Sequence, residues 1–594
     1  MSGEEFKDQD LKVGAYSSSN SHSVENVDNK SGFKKFKDSF KRQRAVLDED
    51  HLNTLSSEQR KNYILSNQPY KQTLQKRHLQ MMAIGGTLGS GLFIGLGYSL
   101  ASGPGATLIG FSIVGFAIFC VMQAAAELSV SYPVSGSFAT HVSRFVDPAI
   151  GFTVSSNYCL SWLISLPSEL IGCSLVIQYW NSSVNPAVWV LIFFLTVVVL
   201  NLFGVRAYGE SEFILSIIKV IAIIIFLIIG IVLICGGGPD SHGYIGAKYW
   251  HDPGSFGTPV FKSICGTFIS AAFSFGGTEL VILTAAESHS VNAISRATKQ
   301  VFWRIALFYI STIVVIGCLV PYTDSRLLGG NSSEDITASP FVIALSNTGS
   351  FGTRVSNFMN AVILVAVLSV ANSCVYASSR VIQSLGAAGQ MPEFCAYIDK
   401  EGRPLVGILL SFIFGLLGFL VAYHDQDTVF DWLFSLCSIS SFFTWGSICF
   451  SHVRFRLAMK KQNRSVNKEL SFKAMLGIYG SIIGCILCFL LIVGEIYISA
   501  FPLQVGGSYA ISKSERASDF FQNCLSIPLM ILVWVTYRIS SKTFFSRPLI
   551  KLEDIDLDTG RRYKDIDLLM QNVAEEQQAI AQKPFWYRWY RIWC

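Results

Sequence analysis

The sequence carries little charge for its length. Only 15% of its 594 residues are Asp, Glu, Lys or Arg, whereas soluble domains carry about 25%. That charge is concentrated towards the two ends, and 51% of the residues are hydrophobic. A soluble chain of this length would divide into several domains with charged surfaces. The composition therefore excludes a soluble protein, and the net charge of +5 is too small and too scattered to indicate a nucleic-acid partner.

Several signatures of catalysis and of cofactor binding are missing as well. Most of the fourteen cysteines lie inside apolar runs, so neither a disulfide scaffold nor a zinc site is expected. None of the nine histidines falls in the middle of an apolar stretch, which argues against a histidine proton relay. No Gly-Lys-Ser/Thr phosphate loop is present, and no group of His, Cys and Asp converges at one membrane depth. We therefore expect neither an ATP-driven pump nor an enzyme, and no cofactor.

What the sequence does contain is a series of long apolar stretches. Each is long enough to cross about 30 Å of hydrocarbon as a helix, and the first must direct insertion, because the polar start of the chain contains no cleavable signal peptide. The pattern predicts an all-α integral membrane protein with about twelve transmembrane helices. The predicted spans are 80–101, 106–131, 154–180, 187–204, 210–235, 262–286, 302–321, 355–384, 405–423, 428–452, 475–497 and 517–541.

The basic residues predict the orientation and the domain boundaries. Lys and Arg are more frequent in one set of connections, as at Arg77, Arg144, Arg403 and the run 454–468, and such connections face the cytoplasm. Both termini are therefore expected to be cytoplasmic. The predicted division is a disordered tail (1–75), a transmembrane domain (76–541) and a C-terminal tail (542–594).

The two tails and two loops carry candidate modification sites. The lysines and serines of the N-terminal tail indicate either a solubilising segment or a regulated one that receives phosphate or ubiquitin from a ligase. The aromatic and basic end of the chain suits the lipid headgroup region, and Cys594 within it is a candidate for acylation. Asn181 and Asn331 begin glycosylation sequons in predicted outside loops.

The first span is unusually rich in glycine. Residues 85–95 read GGTLGSGLFIG, although each glycine costs a helix about 1 kcal/mol relative to alanine. A dinucleotide loop is disfavoured because no strand precedes it. Close helix packing through small residues remains an alternative. The favoured interpretation is a broken helix whose free amides hold a carboxylate, and its candidate substrate-binding residues are Thr87, Gly89, Ser90, Gly91 and Leu92.

A second interruption lies in the sixth span. Residues 272–280 read AFSFGGTEL, with a glycine pair and a carboxylate. Paired glycine-interrupted helices at corresponding positions of two halves point to a transporter binding site. Free carbonyls there would hold an ammonium group, and one phenylalanine would close over the substrate, although ordinary packing explains the aromatics equally well. The candidate residues are Phe273, Ser274, Phe275, Gly276 and Glu279.

Ionisable residues within the spans are few and therefore candidates for function. Lys219 is a lone cation among aliphatic residues, and it is expected to take part in proton coupling together with Glu127 and Glu169. The alternative for Lys219 is a permanent structural ion pair with one of the glutamates. Glu279 and Glu169 would also favour a cationic substrate.

Nearly the whole chain, from about residue 75 onwards, resembles the fungal amino-acid permeases of the amino acid–polyamine–organocation superfamily, most closely the general amino-acid permease type. Departures from that type include Ser90, where many relatives have threonine, and the sequence LPSE at 166–169. The motifs that carry the resemblance are RHLQM (77–81), NLFGV (201–205), YGE (208–210), KYWHDPG (248–254), AAFSF (271–275), FWRI (302–305), VPY (320–322), ANS (371–373), GRP (402–404) and the final WC (593–594).

The resemblance implies proton-coupled import of L-amino acids across the plasma membrane, with broad specificity. It also implies a LeuT-like inverted 5+5 repeat with broken helices 1 and 6, Lys219 as the proton-linked site, and Ser369, Asn372 and Ser373 as further pocket residues. Two alternatives remain. One is a carrier selective for cationic amino acids or sulfonium compounds, and the other is a non-transporting amino-acid sensor on the same fold.

Overall fold

A computed structural model describes most of the chain. Contacts divide the chain into two compact units, Met1–Lys41 and Arg42–Cys594, and only residues 37–41 of the first are described. Thr87, Asn181, Asn331 and Cys594 lie outside the described residues, so the predictions made for them stay predictions. The described ranges are 37–45, 47–71, 74–86, 88–180, 183–237, 243–287, 291–324, 326–327, 339–346, 349–423, 426–501, 513–545 and 547–562, with single positions at 571, 575, 578, 582 and 584.

Helices make up nearly all of the regular structure in these ranges. An isolated antiparallel bridge joins Arg42 and Asp399. The helices of the first half are α1 (Glu49–Thr54), α2 (Ser57–Ser66), α3 (Lys76–Met81), α4 (Ser90–Phe93), α5 (Leu96–Leu100), α6 (Pro104–Ser131), α7 (Phe138–Phe145), α8 (Pro148–Gln178), α9 (Pro186–Asn201), α10 (Gly204–Ile234), α11 (Lys248–His251), α12 (Val260–Cys265), α13 (Phe268–Phe275) and α14 (Leu280–Leu283).

The second half has the same character. Its helices are α15 (Val291–Arg304), α16 (Ser311–Leu319), α17 (Pro340–Ser346), α18 (Gly349–Ala387), α19 (Leu405–Gly415), α20 (Gln426–Lys461), α21 (Val466–Glu469), α22 (Gly477–Ala500), α23 (Lys513–Cys524) and α24 (Ser526–Ser540). Shorter π- and 3₁₀-helical turns join them at Met82–Gly86, Thr284–Glu287, Ile305–Ile310, Glu393–Ala396 and Leu416–Ala422.

Nine helical segments of the described chain are long and apolar enough to cross a membrane. The shorter apolar helices α9 and α24 and the interrupted segment α3–α5 coincide with three further predicted spans. The predicted all-α integral membrane fold is confirmed, while the count of twelve and the inverted repeat stay predictions. The nine segments are Pro104–Ser131, Pro148–Gln178, Gly204–Ile234, Val260–Leu283, Ala297–Leu319, Gly352–Ala387, Leu405–Ala422, Val429–Lys461 and Gly477–Ala500.

Local sequence explains why the third span is one helix despite its internal proline. The Asp147 carboxylate accepts hydrogen bonds from the amides of Ala149 (2.8 Å) and Ile150 (3.1 Å), and Pro148 occupies the first helical position. Both features favour helix initiation. Pro167 is contained within α8 without ending it. The last predicted span, 517–541, is instead divided at Leu525 into α23 and α24.

The first and sixth spans are interrupted where the glycines predicted a break. In the first, the π-helical turn Met82–Gly86 ends before Gly89, and helical structure resumes at α4. In the sixth, α13 ends at Phe275, and Gly277 adopts a positive φ of 82°, which glycine reaches without steric cost. Both predicted interruptions are confirmed.

Residues from both ends of the chain meet on one side of the bundle, which we call the tail face. The Asn62 amide donates to an Asp556 carboxylate oxygen at 3.1 Å, and the Tyr132 hydroxyl at the end of α6 donates to the Leu557 carbonyl at 2.8 Å. Leu65 and Leu557 pack in one buried apolar cluster. The prediction that 1–75 is disordered is therefore wrong for the part that forms α1 and α2, because α2 buries apolar surface against the C-terminal segment.

Candidate functional site

A cavity lies between the two interruptions. It adjoins the breaks in the first and sixth spans, and α8, α18 and α20 supply its remaining walls. The structure therefore brings together Gly89, Ser90, Gly91, Glu169, Phe273, Gly276 and Glu279 from the predicted site. The further lining residues are Tyr158, Ser161, Trp162, Ser165, Gly277, Val370, Cys437, Ser440, Ser441 and Thr444.

The glycines of the first break also allow close packing. A Cβ atom on Gly91 would lie 2.6 Å from the Ser274 Cα, and one on Gly89 would lie 2.4 Å from a methyl carbon of Val370. Real Cβ atoms do not approach other heavy atoms this closely. Close packing and cavity lining are therefore not alternatives here, because the same two glycines do both.

The start of α4 supplies the amides predicted to hold a carboxylate. Ser90, Gly91 and Leu92 are its first three residues and are all buried. The first amides of a helix have no acceptor within it. Binding of a substrate carboxylate at these amides stays a prediction.

Glu169 is a buried carboxylate at the edge of the cavity. Glu169 is only 1% exposed, and its Oε1 accepts a hydrogen bond from the Ser90 hydroxyl at 2.6 Å. Oε2 accepts no hydrogen bond from the described residues. A buried carboxylate oxygen without a donor is costly, so this oxygen is the one available to a substrate cation.

Glu279 is the second carboxylate of the cavity, and it lies in the sixth-span break. One oxygen accepts from the Gly277 amide and the other from the Trp445 indole, each at 3.3 Å. Neither lysine nor arginine is among the described residues that line the cavity. Among its described lining residues, the cavity therefore combines two carboxylates with no lysine or arginine.

The two candidate phenylalanines have different positions. Phe273 lines the cavity and lies against Phe434, with ring centroids 4.3 Å apart. Phe275 is fully buried and packs against Tyr309 with centroids 4.4 Å apart. Of these two phenylalanines, Phe273 therefore faces the cavity, whereas packing explains Phe275.

The predicted free carbonyls of the sixth break are not free. The Ser274 carbonyl accepts from the Tyr309 hydroxyl at 2.6 Å, and the Phe275 carbonyl accepts from the Thr278 hydroxyl at 2.6 Å. The Phe273 carbonyl accepts from the Gly276 amide at 3.2 Å. That part of the prediction is wrong, because local turns and a neighbouring tyrosine satisfy these groups.

Lys219 forms a closed polar cluster rather than standing alone. Its Nζ lies 3.4 Å from Glu212 Oε1 and donates to the Ser369 hydroxyl at 2.9 Å. Ser369 donates in turn to Glu212 Oε2 at 2.6 Å. The cluster adjoins the first break, since a Cβ on Gly86 would lie 3.5 Å from Glu212 Oε1. Lys219 also interacts through space with Glu169 in the cavity wall.

Glu212 is the functional candidate that the sequence analysis missed. It lies two residues inside the predicted start of its span, where a carboxylate is expected to lie at the membrane interface. Its position seven residues before Lys219, two helical turns away on the same face, was the available signal.

Two predicted pocket residues bond elsewhere. Ser373 contacts the Tyr208 hydroxyl at 3.0 Å, and Asn372 accepts from Asn201 at 2.7 Å. Neither residue lines the cavity.

Glu127 lies in a separate cluster near the tail face. It contacts the His452 ring at 2.9 Å and Arg456 at 2.5 Å, and it accepts from the Ala474 amide at 2.7 Å. The structure does not bring it to the cavity. The prediction that no histidine lies in the middle of an apolar span is wrong for His452, because α20 continues to Lys461 and places this residue inside a helix, fully buried.

Comparisons with known proteins agree with this architecture. The family model described as "Amino acid permease" matches residues 78–550. The S-adenosylmethionine permease SAM3 of Saccharomyces cerevisiae is 61% identical over 581 residues, covering 97% of each chain. The S-methylmethionine permease 1 of the same yeast is 58% identical over 562 residues, covering 94% of this chain and 95% of that one. The general amino-acid permease GAP1 of this yeast is 44% identical over 582 residues, covering 96% and 93%.

Proposed function

This chain belongs to the amino acid permease family, and from that premise we propose that it imports sulfonium derivatives of amino acids across the plasma membrane together with protons. The chain is a multi-pass membrane transporter and not an enzyme. The names of the two yeast relatives that are 61% and 58% identical both specify sulfonium compounds. The proposal transfers that substrate class to this chain.

The observation that carries the proposal is the pair of carboxylates in the cavity. An ordinary neutral amino acid has one ammonium and one carboxylate, so its net charge is zero. A sulfonium derivative carries one further positive charge. Glu279 and Glu169 offer one carboxylate for each of two cationic centres, and no described lysine or arginine of the lining opposes them.

Aromatic side chains of the same cavity suit a sulfonium group. Tyr158, Trp162 and Phe273 line it together with the carboxylates. A cation placed over an aromatic face gains about 0.5–2 kcal/mol, and more when water is excluded. A sulfonium centre has no N–H or O–H donor, so aromatic faces and a nearby carboxylate are the groups that recognise it.

The Lys219 cluster supports proton coupling. Lys219, Glu212 and Ser369 exchange hydrogen bonds without access to solvent, and the cluster lies beside the first break. A proton gained or lost there changes the charge next to the π-helical turn Met82–Gly86. Because Lys219 also acts on Glu169, the charge of the cluster and the charge of the bound substrate influence each other.

Localisation and orientation are part of the proposal. The contact between Asn62 and Asp556 puts both described tails on one side of the bundle. Arg144, Arg454 and Arg464 make contacts at that side, which by the positive-inside rule faces the cytoplasm. Ubiquitin ligases are proposed partners of the tails, whose N-terminal lysines lie outside the described residues.

Uptake assays test the substrate class. Cells without their own carriers would express the protein and receive labelled S-methylmethionine, S-adenosylmethionine, methionine, lysine or glutamate at several external pH values. We expect sulfonium uptake to exceed methionine uptake at least about tenfold, to rise at acid pH and to collapse with an uncoupler. Cells expressing a Gly91→Val variant at equal surface level give the background.

A general amino-acid carrier is the second candidate, because the chain is also 44% identical to GAP1. Comparable uptake of neutral, acidic and basic amino acids would favour it over the sulfonium carrier. Absence of any uptake by a protein shown to be at the surface would overturn both proposals and favour a sensor.

A further inference from the structure

Arg304 contacts both interrupted spans at once. One of its terminal nitrogens donates to the Ala83 carbonyl at 3.0 Å, and the other donates to the Thr278 hydroxyl. Ala83 belongs to the π-helical turn before the first break, and Thr278 lies in the sixth-span break. A single guanidinium therefore joins the two segments that also form the cavity.

The bridge lies between the cavity and the tail face. The first span starts near the tail face at Lys76 and reaches Ala83 before Gly89 and Gly91, which line the cavity. The sixth span runs in the opposite direction, towards the tail face, so Thr278 comes after the cavity residue Gly276 on the way to that face. The 3₁₀ turn at the end of the sixth span finishes at Glu287, which binds Arg380 at 2.9 Å. Both partners of Arg304 thus belong to the tail-face halves of their spans.

Packing alone does not account for an arginine here. The residue is 1% exposed, and a buried charge costs several kcal/mol unless polar groups compensate it. Its hydrogen bonds to Ala83 and Thr278 supply part of that compensation, and Glu279 attracts it through space. A planar guanidinium reaches two acceptors in a fixed geometry, which the single ammonium of lysine does not.

The Thr278 hydroxyl extends the link into the sixth span. It accepts from Arg304 and donates to the Phe275 carbonyl, the last of α13, at 2.6 Å. Movement of the two tail-face halves away from each other must therefore break a hydrogen bond of Arg304. Alternating access requires such a separation around a fixed binding site.

We propose that Arg304 is a positioning residue that keeps the route from the cavity to the tail face closed, through its simultaneous hydrogen bonds to Ala83 and Thr278. Substrate leaves towards the tail face when one of these bonds opens. Weakening either bond shifts the transporter towards a form whose cavity is accessible from the tail face. This role goes beyond substrate recognition and does not depend on which amino acid is carried.

Cys437 provides a reporter for this route, because its thiol lines the cavity. Membrane vesicles with the tail face outward would be treated with an impermeant maleimide, and labelling of the Cys437 peptide would be measured by mass spectrometry. The test variants are Thr278→Val, which removes the acceptor at nearly constant size, and Arg304→Lys, which keeps the charge. Thr284→Val is the matched control, because among the described residues that buried hydroxyl bonds only to the Val281 carbonyl of its own turn, at 2.7 Å.

We expect Thr278→Val and Arg304→Lys to raise Cys437 labelling at least about threefold, and Thr278→Ser and Thr284→Val to match the unaltered protein. Efflux of preloaded substrate should rise relative to net uptake in the same two variants. A purely structural role would reduce the amount of protein without changing labelling per molecule. Unchanged labelling in Thr278→Val, delivered to the membrane at normal level, would overturn the proposal even if Arg304→Lys fails to fold.

Discussion

Lys219 and Glu212 lie two turns apart on α10, with the lysine Nζ 3.4 Å from a carboxylate oxygen of the glutamate. Ser369 completes the arrangement by accepting from the lysine and donating to the glutamate. None of these three residues is exposed. Neither charge is therefore stable without the other, and the protonation of one governs the state of both. The structure gives Lys219 an ion-pair partner, Glu212, and its role in proton coupling stays a prediction.

Lys219→Met tests coupling. We expect this variant to lose uphill accumulation, because no proton can be exchanged at position 219. It also leaves Glu212 buried without its cation, which costs about 3–5 kcal/mol, so surface level should fall. The double variant Lys219→Met/Glu212→Gln should restore the surface level but not accumulation, measured with labelled substrate over a pH series. Full pH-dependent accumulation by the double variant would rule out this cluster as the proton-coupling site.

Gly91→Ala tests the close approach of the two breaks. Its Cβ would lie 2.6 Å from the Ser274 backbone, and overpacking of this kind costs about 1–3 kcal/mol. We expect substrate uptake to fall at least about tenfold. Gly86→Ala is the matched control, since its Cβ would meet nothing closer than 3.5 Å and should leave uptake within about twofold. Equal uptake by the two variants would contradict the role assigned to Gly91.

Glu169→Gln tests recognition of the second positive charge. Glutamine keeps an oxygen for the Ser90 hydroxyl but removes the negative charge. The KM for a sulfonium substrate should rise by about tenfold or more, since a hydrogen bond or ion pair to a charged group is worth about 1.5–3 kcal/mol. The KM for methionine, measured in the same cells, should change much less. An equal rise for both substrates would show that Glu169 acts on the common amino-acid part.

Asp556→Asn tests the tail-face contact through its pH dependence. Burial alone would raise the pKa of Asp556, but Arg144, the amides of Thr559 and Asp558 and the Asn62 side chain together lower it. A carboxyl group with a lowered pKa in the folded state stabilises the fold above its unfolded pKa, about 3.9 for Asp. That stabilisation is lost as the pH falls further, through the folded pKa.

The unaltered protein should therefore unfold at a higher temperature than Asp556→Asn at pH 7, and the difference should shrink below about pH 4. Thermal unfolding in detergent measures it. Asp554→Ala, at an exposed position nearby, should match the unaltered protein at every pH.

The sequence was sufficient to predict the features that depend on short-range physics. The length of the apolar stretches predicted the spans. The glycine-rich segments predicted the interruptions at Gly89 and Gly276, because glycine destabilises a helix and is therefore not expected to cluster in a continuous one. The cavity residues Glu169 and Glu279 could be predicted because a carboxylate within a span destabilises the fold unless it is paired or faces a cavity. These arguments require no knowledge of which helices are neighbours.

Pairings between distant segments could not be predicted in the same way. Nothing local indicates that Arg304 reaches Ala83, 221 residues earlier, or that His452 reaches Glu127, 325 residues earlier. One of the carbonyls expected to be free at 273–275 is likewise occupied from a distance, because the Tyr309 hydroxyl that donates to it comes from another span. Disorder was predicted for α2 because its apolar partners lie at the other end of the chain.

The Asn62–Asp556 contact spans 494 residues of sequence. Asn62 is synthesised before nearly all the spans, and Asp556 is synthesised after them. Leu65 of α2 is therefore synthesised before nearly all the spans, whereas Leu557, which belongs to the same buried apolar cluster, is synthesised after them. Until residues 555–557 are made, this cluster lacks the buried side chains of Ile555 and Leu557, so a chain that stops before them exposes more apolar surface at the tail face.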